Sequence, residues 1–141
     1  MPLPVILFIF FLVPPVQAQV TTPPLQIVSL QISDHTLKAE VANTNALRRQ
    51  GLMNRRMLSK DSGMLFVFPR AGQYSMWMKD TYIPLSVAFI DEQGVILNIE
   101  KMKPLTKTAH YSAGQAKYAL EMNAGWFAER NIVTGDQLQG L

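Results

Sequence analysis

Cysteine is absent from all 141 residues. No disulfide can staple the fold, so whatever holds it together is core burial, and no lipid can be attached through a thiol. Histidine occurs only twice, with no paired spacing, which argues against a zinc site. A glycine-rich phosphate loop and a nucleophile elbow are both missing, as are internal repeats. Excess positive charge is small too: 13 Lys and Arg against 10 Asp and Glu leave a net charge of +3. That balance is too weak to argue for nucleic acid, which calls for dense cations along one face.

What is present begins with an apolar run from Leu3 to Val13, too short for a membrane span of about 20 residues. Pro14-Pro15 and Val16-Gln17-Ala18 follow it, and small residues at 16 and 18 suit a signal peptidase. The expectation is a signal peptide over residues 1–18, cleaved after Ala18, and a periplasmic or secreted product with no membrane span of its own. The run lacks a preceding Lys or Arg, so an uncleaved anchor is the alternative. Residues 19–24 read as a flexible leader and residues 25–141 as a single domain.

The domain reads as a sheet. Leu25 to Ile32 and Leu37 to Val41 are predicted strands joined at Ser33-Asp34-His35. Asn43 or Thr44 can cap a short helix running toward Met53, with Leu47 and Gly51 facing inward. Met64 to Phe68 is apolar at every position and so is a strand covered on both faces. Tyr74 to Lys79 alternates and is read as a central strand carrying Trp77; Lys79-Asp80-Thr81 and Pro84 then force a polar corner before the apolar strand Leu85 to Ile90. Asp91 to Gly94 turns the chain into Val95 to Ile99, which pairs back. Pro104 to Gln115 is a long connection containing His110-Tyr111. Lys117 to Met122 places Tyr118, Leu120 and Met122 on one face and Glu121 on the other. Asn123 is expected to cap a second helix through Trp126, Phe127 and Arg130, ended by Asn131.

The stretches QGLMNRRMLSKDSGMLFVFP, MWMKDTYIPLSVAFID and AKYALEMNAGWFAERNIVTGD resemble the bacterial and archaeal family catalogued as domain of unknown function 192 (DUF192). The resemblance spans nearly all of the predicted mature chain. It implies a single α+β domain with a mostly antiparallel, curved, barrel-like sheet and two or three short helices, often exported, and it implies no activity. The chain departs from the family pattern at Met76, where an aromatic is usual, at Asp80, usually Asn, and at Ser86, usually Asp. The last two alter the charge of the polar corner.

Lys79, Asp80 and Thr81 bring an ammonium, a carboxylate and a hydroxyl to one strand end, with Arg55, Glu121 and Asn123 as possible neighbours across the fold. These six residues are the candidate ligand contacts. The local alternative is that Asp80 and Thr81 simply bond the backbone of a tight corner. Arg48, Arg49, Arg55 and Arg56 can grip phosphate or carboxylate groups or form a solvated face. Trp77 and Trp126 are read as core anchors rather than sugar-stacking platforms. The leading expectation is a non-catalytic ligand-binding or accessory domain of the cell envelope, taking a small molecule or envelope component, without cofactor or metal. A hydrolase built on Lys79, Asp80 and Thr81 is one alternative, and Cu(I) binding through Met76, Met78 and His110 is the other. The sequence leaves ligand and oligomeric state open.

Overall fold

A computed structural model describes Met1, residues 13–17 and residues 24–141. Most of the predicted signal peptide and leader therefore lies outside the described residues. Among those residues no helix is long and apolar enough to cross a membrane.

The first strands form where alternation dictates. β1 (Ile27–Ile32) and β2 (His35–Ala42) pair antiparallel with Ile32 opposite His35, and Ser33 turns the chain at φ +52°. Leu30, Ile32, Leu37 and Ala39 go inward on alternate positions. Helix α1 (Asn45–Gln50) starts at Thr44, whose hydroxyl accepts the Leu47 amide at 3.2 Å. It stops at Gly51, φ +46°. A Cβ there would sit 3.2 Å from the Phe66 ring, so glycine serves both the turn and the approach of β3 (Ser62–Gly72).

β3 runs parallel to β2 and antiparallel to β8 (Ala116–Asn123). β5 (Leu85–Ile90), buried at every position, lies between β8 and β6 (Ile96–Met102). A final strand, β9 (Leu138–Gln139), pairs with β1, giving the seven-stranded order β6-β5-β8-β3-β2-β1-β9. The same terminal segment also touches the β5–β6 turn: Leu138 donates to the Gly94 carbonyl at 2.7 Å and Val95 bridges Gln137. One short segment thus reaches both ends of the sheet and curls it into a half-barrel.

Two apolar clusters fill its faces. Leu65, Ala88, Ile90, Leu120, Met122, Trp126 and Phe127 belong to one; Met64, Phe66, Leu85, Val87, Phe89 and Ala119 belong to the other. The strand over Met64 to Phe68 is covered on both sides, as its unbroken apolar run implied. Trp126 is anchored by its indole N–H, which donates to Asp61 at 3.0 Å, and Arg130 reaches the same carboxylate oxygen at 3.0 Å.

Two expectations are corrected. The fold is a curled mixed sheet, mostly β, and the two or three helices are not borne out: among the described residues there is, beside the six-residue α1, only a lone 3-10 turn, Ala128–Arg130. Asn123 caps nothing, because Gly125 takes φ +86° and breaks the helical path before Trp126 and Phe127 drop into the core. The segment Tyr74 to Lys79 is not a central strand. Only β4 (Ser75–Met76) is paired, with β7 (His110–Tyr111), in a separate two-stranded ladder, and Trp77 is 47% exposed rather than a core anchor. Alternation fixes which way side chains point, not which strand a segment pairs with.

Candidate functional site

The segments around β4 and α1 stand off from the middle of the sheet and leave a cavity of about 680 Å³ between them. Its base is supplied by β8 and β3. In β8, Glu121 lies opposite Met64 of β3 and Val87 of β5, so its side chain emerges on the face where those apolar residues are packed. Glu121 is buried yet lines the cavity. Among the described residues it forms no ion pair. Burial, the sole cause acting on it, pushes its carboxyl up to about 8, so the acid is neutral at pH 7.

Phe66 and Phe68 of β3 form an apolar wall, and Tyr74 stacks on Phe68 with ring centroids 3.7 Å apart and 7° between planes. The Tyr74 hydroxyl is tied to the Arg70 carbonyl at 2.7 Å. The rim is cationic: Arg48, Arg49, Arg70 and Lys79 all contribute to the lining. Arg48 is already engaged, donating to the Val67 carbonyl at 2.8 Å and to Asn45 Oδ1 at 2.6 Å, which pins α1 to β3. Lys79 Nζ stands 5.6 Å from the centroid of the exposed Trp77 ring.

Of the six residues the sequence nominated, Lys79, Thr81 and Glu121 line this cavity, whereas Arg55, Asp80 and Asn123 lie outside its lining. Arg55 faces Glu40 in a half-buried ion pair at 2.6 Å. Asn123 donates to the Leu58 carbonyl at 2.9 Å and holds the connector after α1 against β8. Asp80 is exposed at φ +51°, a conformation Asp and Asn tolerate better than most residues, and its carbonyl accepts from the Asn54 amide at 2.8 Å. Thr81 donates its hydroxyl to the Lys79 carbonyl at 2.9 Å. Of the corner's polar side chains, it is thus Thr81 that holds its backbone.

The arginine cluster divides. Arg48 and Arg49 go to the cavity, Arg55 goes to Glu40, and Arg56 lies 4.0 Å over the Tyr82 ring. Arg70 was not singled out from the sequence, although Phe66, Phe68 and Arg70 are spaced two apart along one strand and the period-2 rule could have grouped them. Met76 and His110 are directly opposite in the β4–β7 ladder, while Met78 is enclosed in the core. Among the described residues no three His, Asp or Glu side chains cluster as a metal site would require.

A second cavity, about 520 Å³, runs along β1 and β2 past Lys38, Asp61 and Gln139. Asp61 is held below the usual carboxylate range by the Trp126 indole hydrogen bond and, further, by the charge of Arg130. Those bonds give it a structural task.

The DUF192 family profile, described as "Uncharacterized ACR", matches residues 28–140. The chain belongs to this family. Two solved structures share the fold of this DUF192 domain. One, described as a candidate transcription regulator from Sinorhizobium meliloti 1021, is 34% identical, with TM-score 0.82, over 85% of this chain and 98% of its own. The other, a protein of unknown function from Novosphingobium aromaticivorans DSM 12444, is 30% identical, with TM-score 0.79, over 91% of this chain and 94% of its own. No curated protein matches the chain.

Proposed function

We propose that this DUF192 protein is a small exported binding domain of the cell envelope that holds a small molecule in the Glu121 cavity without converting it. The observation that carries the reading is the buried Glu121 carboxyl opening into a space of about 680 Å³. That volume falls among ordinary small-molecule sites, roughly 300–1,000 Å³, and such sites set a few convergent polar groups, here Glu121, among mostly apolar walls. Two observations favour binding without conversion: Thr81 gives its hydroxyl to the Lys79 carbonyl, and Asp80 stands outside the cavity lining that holds Lys79 and Thr81. A net charge of +3 gives no support for extending the Sinorhizobium protein's description to this chain.

Export rests on the apolar run Leu3 to Val13 and the Val16-Gln17-Ala18 site, and is tested by the mass of the product recovered from the periplasm of an expressing bacterium. The expected product begins at Gln19; an intact chain retained with the membrane fraction would contradict it. Binding is tested by thermal shift of the mature protein against envelope sugars, peptides and lipid fragments. A ligand at a hundredfold excess over its Kd stabilises by about 2.7 kcal/mol, several degrees in Tm. No shift from any class, or a shift equally large in a Ser75→Trp variant that fills the cavity, would overturn the reading.

A further inference from the structure

The electrostatics of the cavity are lopsided. Arg49, Arg70 and Lys79 line it, and among the described residues none of them lies within ion-pair distance of a carboxylate. Glu121 is the one acid in the lining, and at neutral pH it is uncharged. The space therefore carries cations at its rim and no compensating anion, between walls that include Phe66, Phe68 and Met76.

Each ligand class meets these walls differently. An ammonium would face four like charges and no ionised carboxylate. A neutral sugar would leave the apolar walls unmatched and the cations unused. A group with an acidic head satisfies the rim by charge-assisted hydrogen bonds, and an apolar body gains by covering the phenylalanines, about 25 cal/mol for each Å² removed from water. The neutral Glu121 carboxyl at the base neither repels the head nor demands a counter-ion.

We infer that the cavity takes an amphiphile with a single anionic head and an apolar body, the head on Arg49, Arg70 and Lys79 and the body along Phe66, Phe68 and Met76 toward Glu121. This deepens the binding reading above and rests on it. A carboxylate and a phosphate monoester share the required chemistry, so both enter the test.

The experiment is displacement of 8-anilinonaphthalene-1-sulfonate, followed by its fluorescence, from the mature protein at neutral pH and low salt. Competitors are decanoate, decyl phosphate, decanol and decyltrimethylammonium; variants are Arg49→Ala/Arg70→Ala and Ser75→Trp. Decanoate or decyl phosphate, or both, are expected to displace the dye, decanol at least tenfold less well, and decyltrimethylammonium not at all. The double variant should weaken the better anion about tenfold, and Ser75→Trp should abolish dye binding. Melting curves are read first, and Gln50→Trp, on α1, replaces Ser75→Trp if that variant does not fold. If decyltrimethylammonium competes as well as the anions, or the double variant binds like wild type, the anionic class is wrong while the cavity still stands as a binding site. If the filled variant binds dye as wild type does and no competitor displaces it, the cavity reading falls as well.

Discussion

At the scale of single residues, Glu121 decides most. Its ordinary value is 4.5, and burial raises it to about 8 in the folded protein. Below pH 4.5 both folded and unfolded chains hold the proton, and stability does not depend on it. Between the two values the folded chain keeps a proton that the unfolded chain has released, so stability falls as pH rises, by about 1.4 kcal/mol per pH unit. Above the upper value the loss is complete. Glu121→Gln removes the titration while keeping the shape. Urea unfolding at pH 5 and pH 8 should therefore show wild type losing several kcal/mol more than the variant across that interval. Parallel losses would mean the carboxyl is solvated or paired. The face Glu121 occupies was readable from its alternation with Tyr118, Leu120 and Met122. That this face is also buried was not, because its cover comes from the α1 and β4 segments, remote in sequence, which pack over the sheet there.

At the scale of elements, α1 is short and depends on its ends. Thr44→Ala removes the hydroxyl that accepts the Leu47 amide and is expected to cost about 1 kcal/mol, measured by urea unfolding at neutral pH. No change would mean the Arg48 bonds alone hold the helix. Strands β3 and β8 approach closely at Gly63, where a Cβ would collide with the Glu121 carbonyl oxygen and the Met122 sulfur. Gly63→Ala should cost more than about 3 kcal/mol or prevent folding; a loss under about 1 kcal/mol would show that the pairing there can shift. Elements whose own residues settle their environment were legible. Leu85–Ile90 is bounded by Pro84 and by the Asp91 turn, whose carboxylate accepts the Gln93 and Val95 amides at 2.9 Å. Elements whose environment is set by partners were not. Tyr74 to Lys79 has strand alternation, but Met78 donates its amide to the Thr106 carbonyl at 3.0 Å, so the chain peels away from the sheet after β4. The parallel pairing of β2 with β3 was equally hidden, since it needs the crossover through α1 to be known first.

At the scale of the whole molecule, the terminal segment holds the curl. Leu138 is buried in the cluster beneath β1 and its amide reaches the β5–β6 turn. Leu138→Ala should cost about 3 kcal/mol, seen as a lower urea midpoint. A loss below about 1 kcal/mol would show that the half-barrel keeps its shape without that contact. The candidate cavity is likewise a property of the assembled fold. Arg49 of α1, Phe66 and Arg70 of β3, Lys79 after β4 and Glu121 of β8 come from four segments, and only the assembled fold brings them to one space. The six residues first nominated were chosen for polarity near one corner, so half of them lie elsewhere, holding backbone or pairing with Glu40. Binding in that space turns on whether the acid at its base is neutral and reachable. The direct measurement is a pH titration of the glutamate carboxyl carbons by 13C NMR on the mature protein, with Glu121 assigned by its loss in Glu121→Gln. This resonance is expected to titrate at about 8 and to move when decanoate or decyl phosphate is added. A carboxyl that titrates with the other glutamates in the ordinary range, and does not respond to either anion, would contradict it.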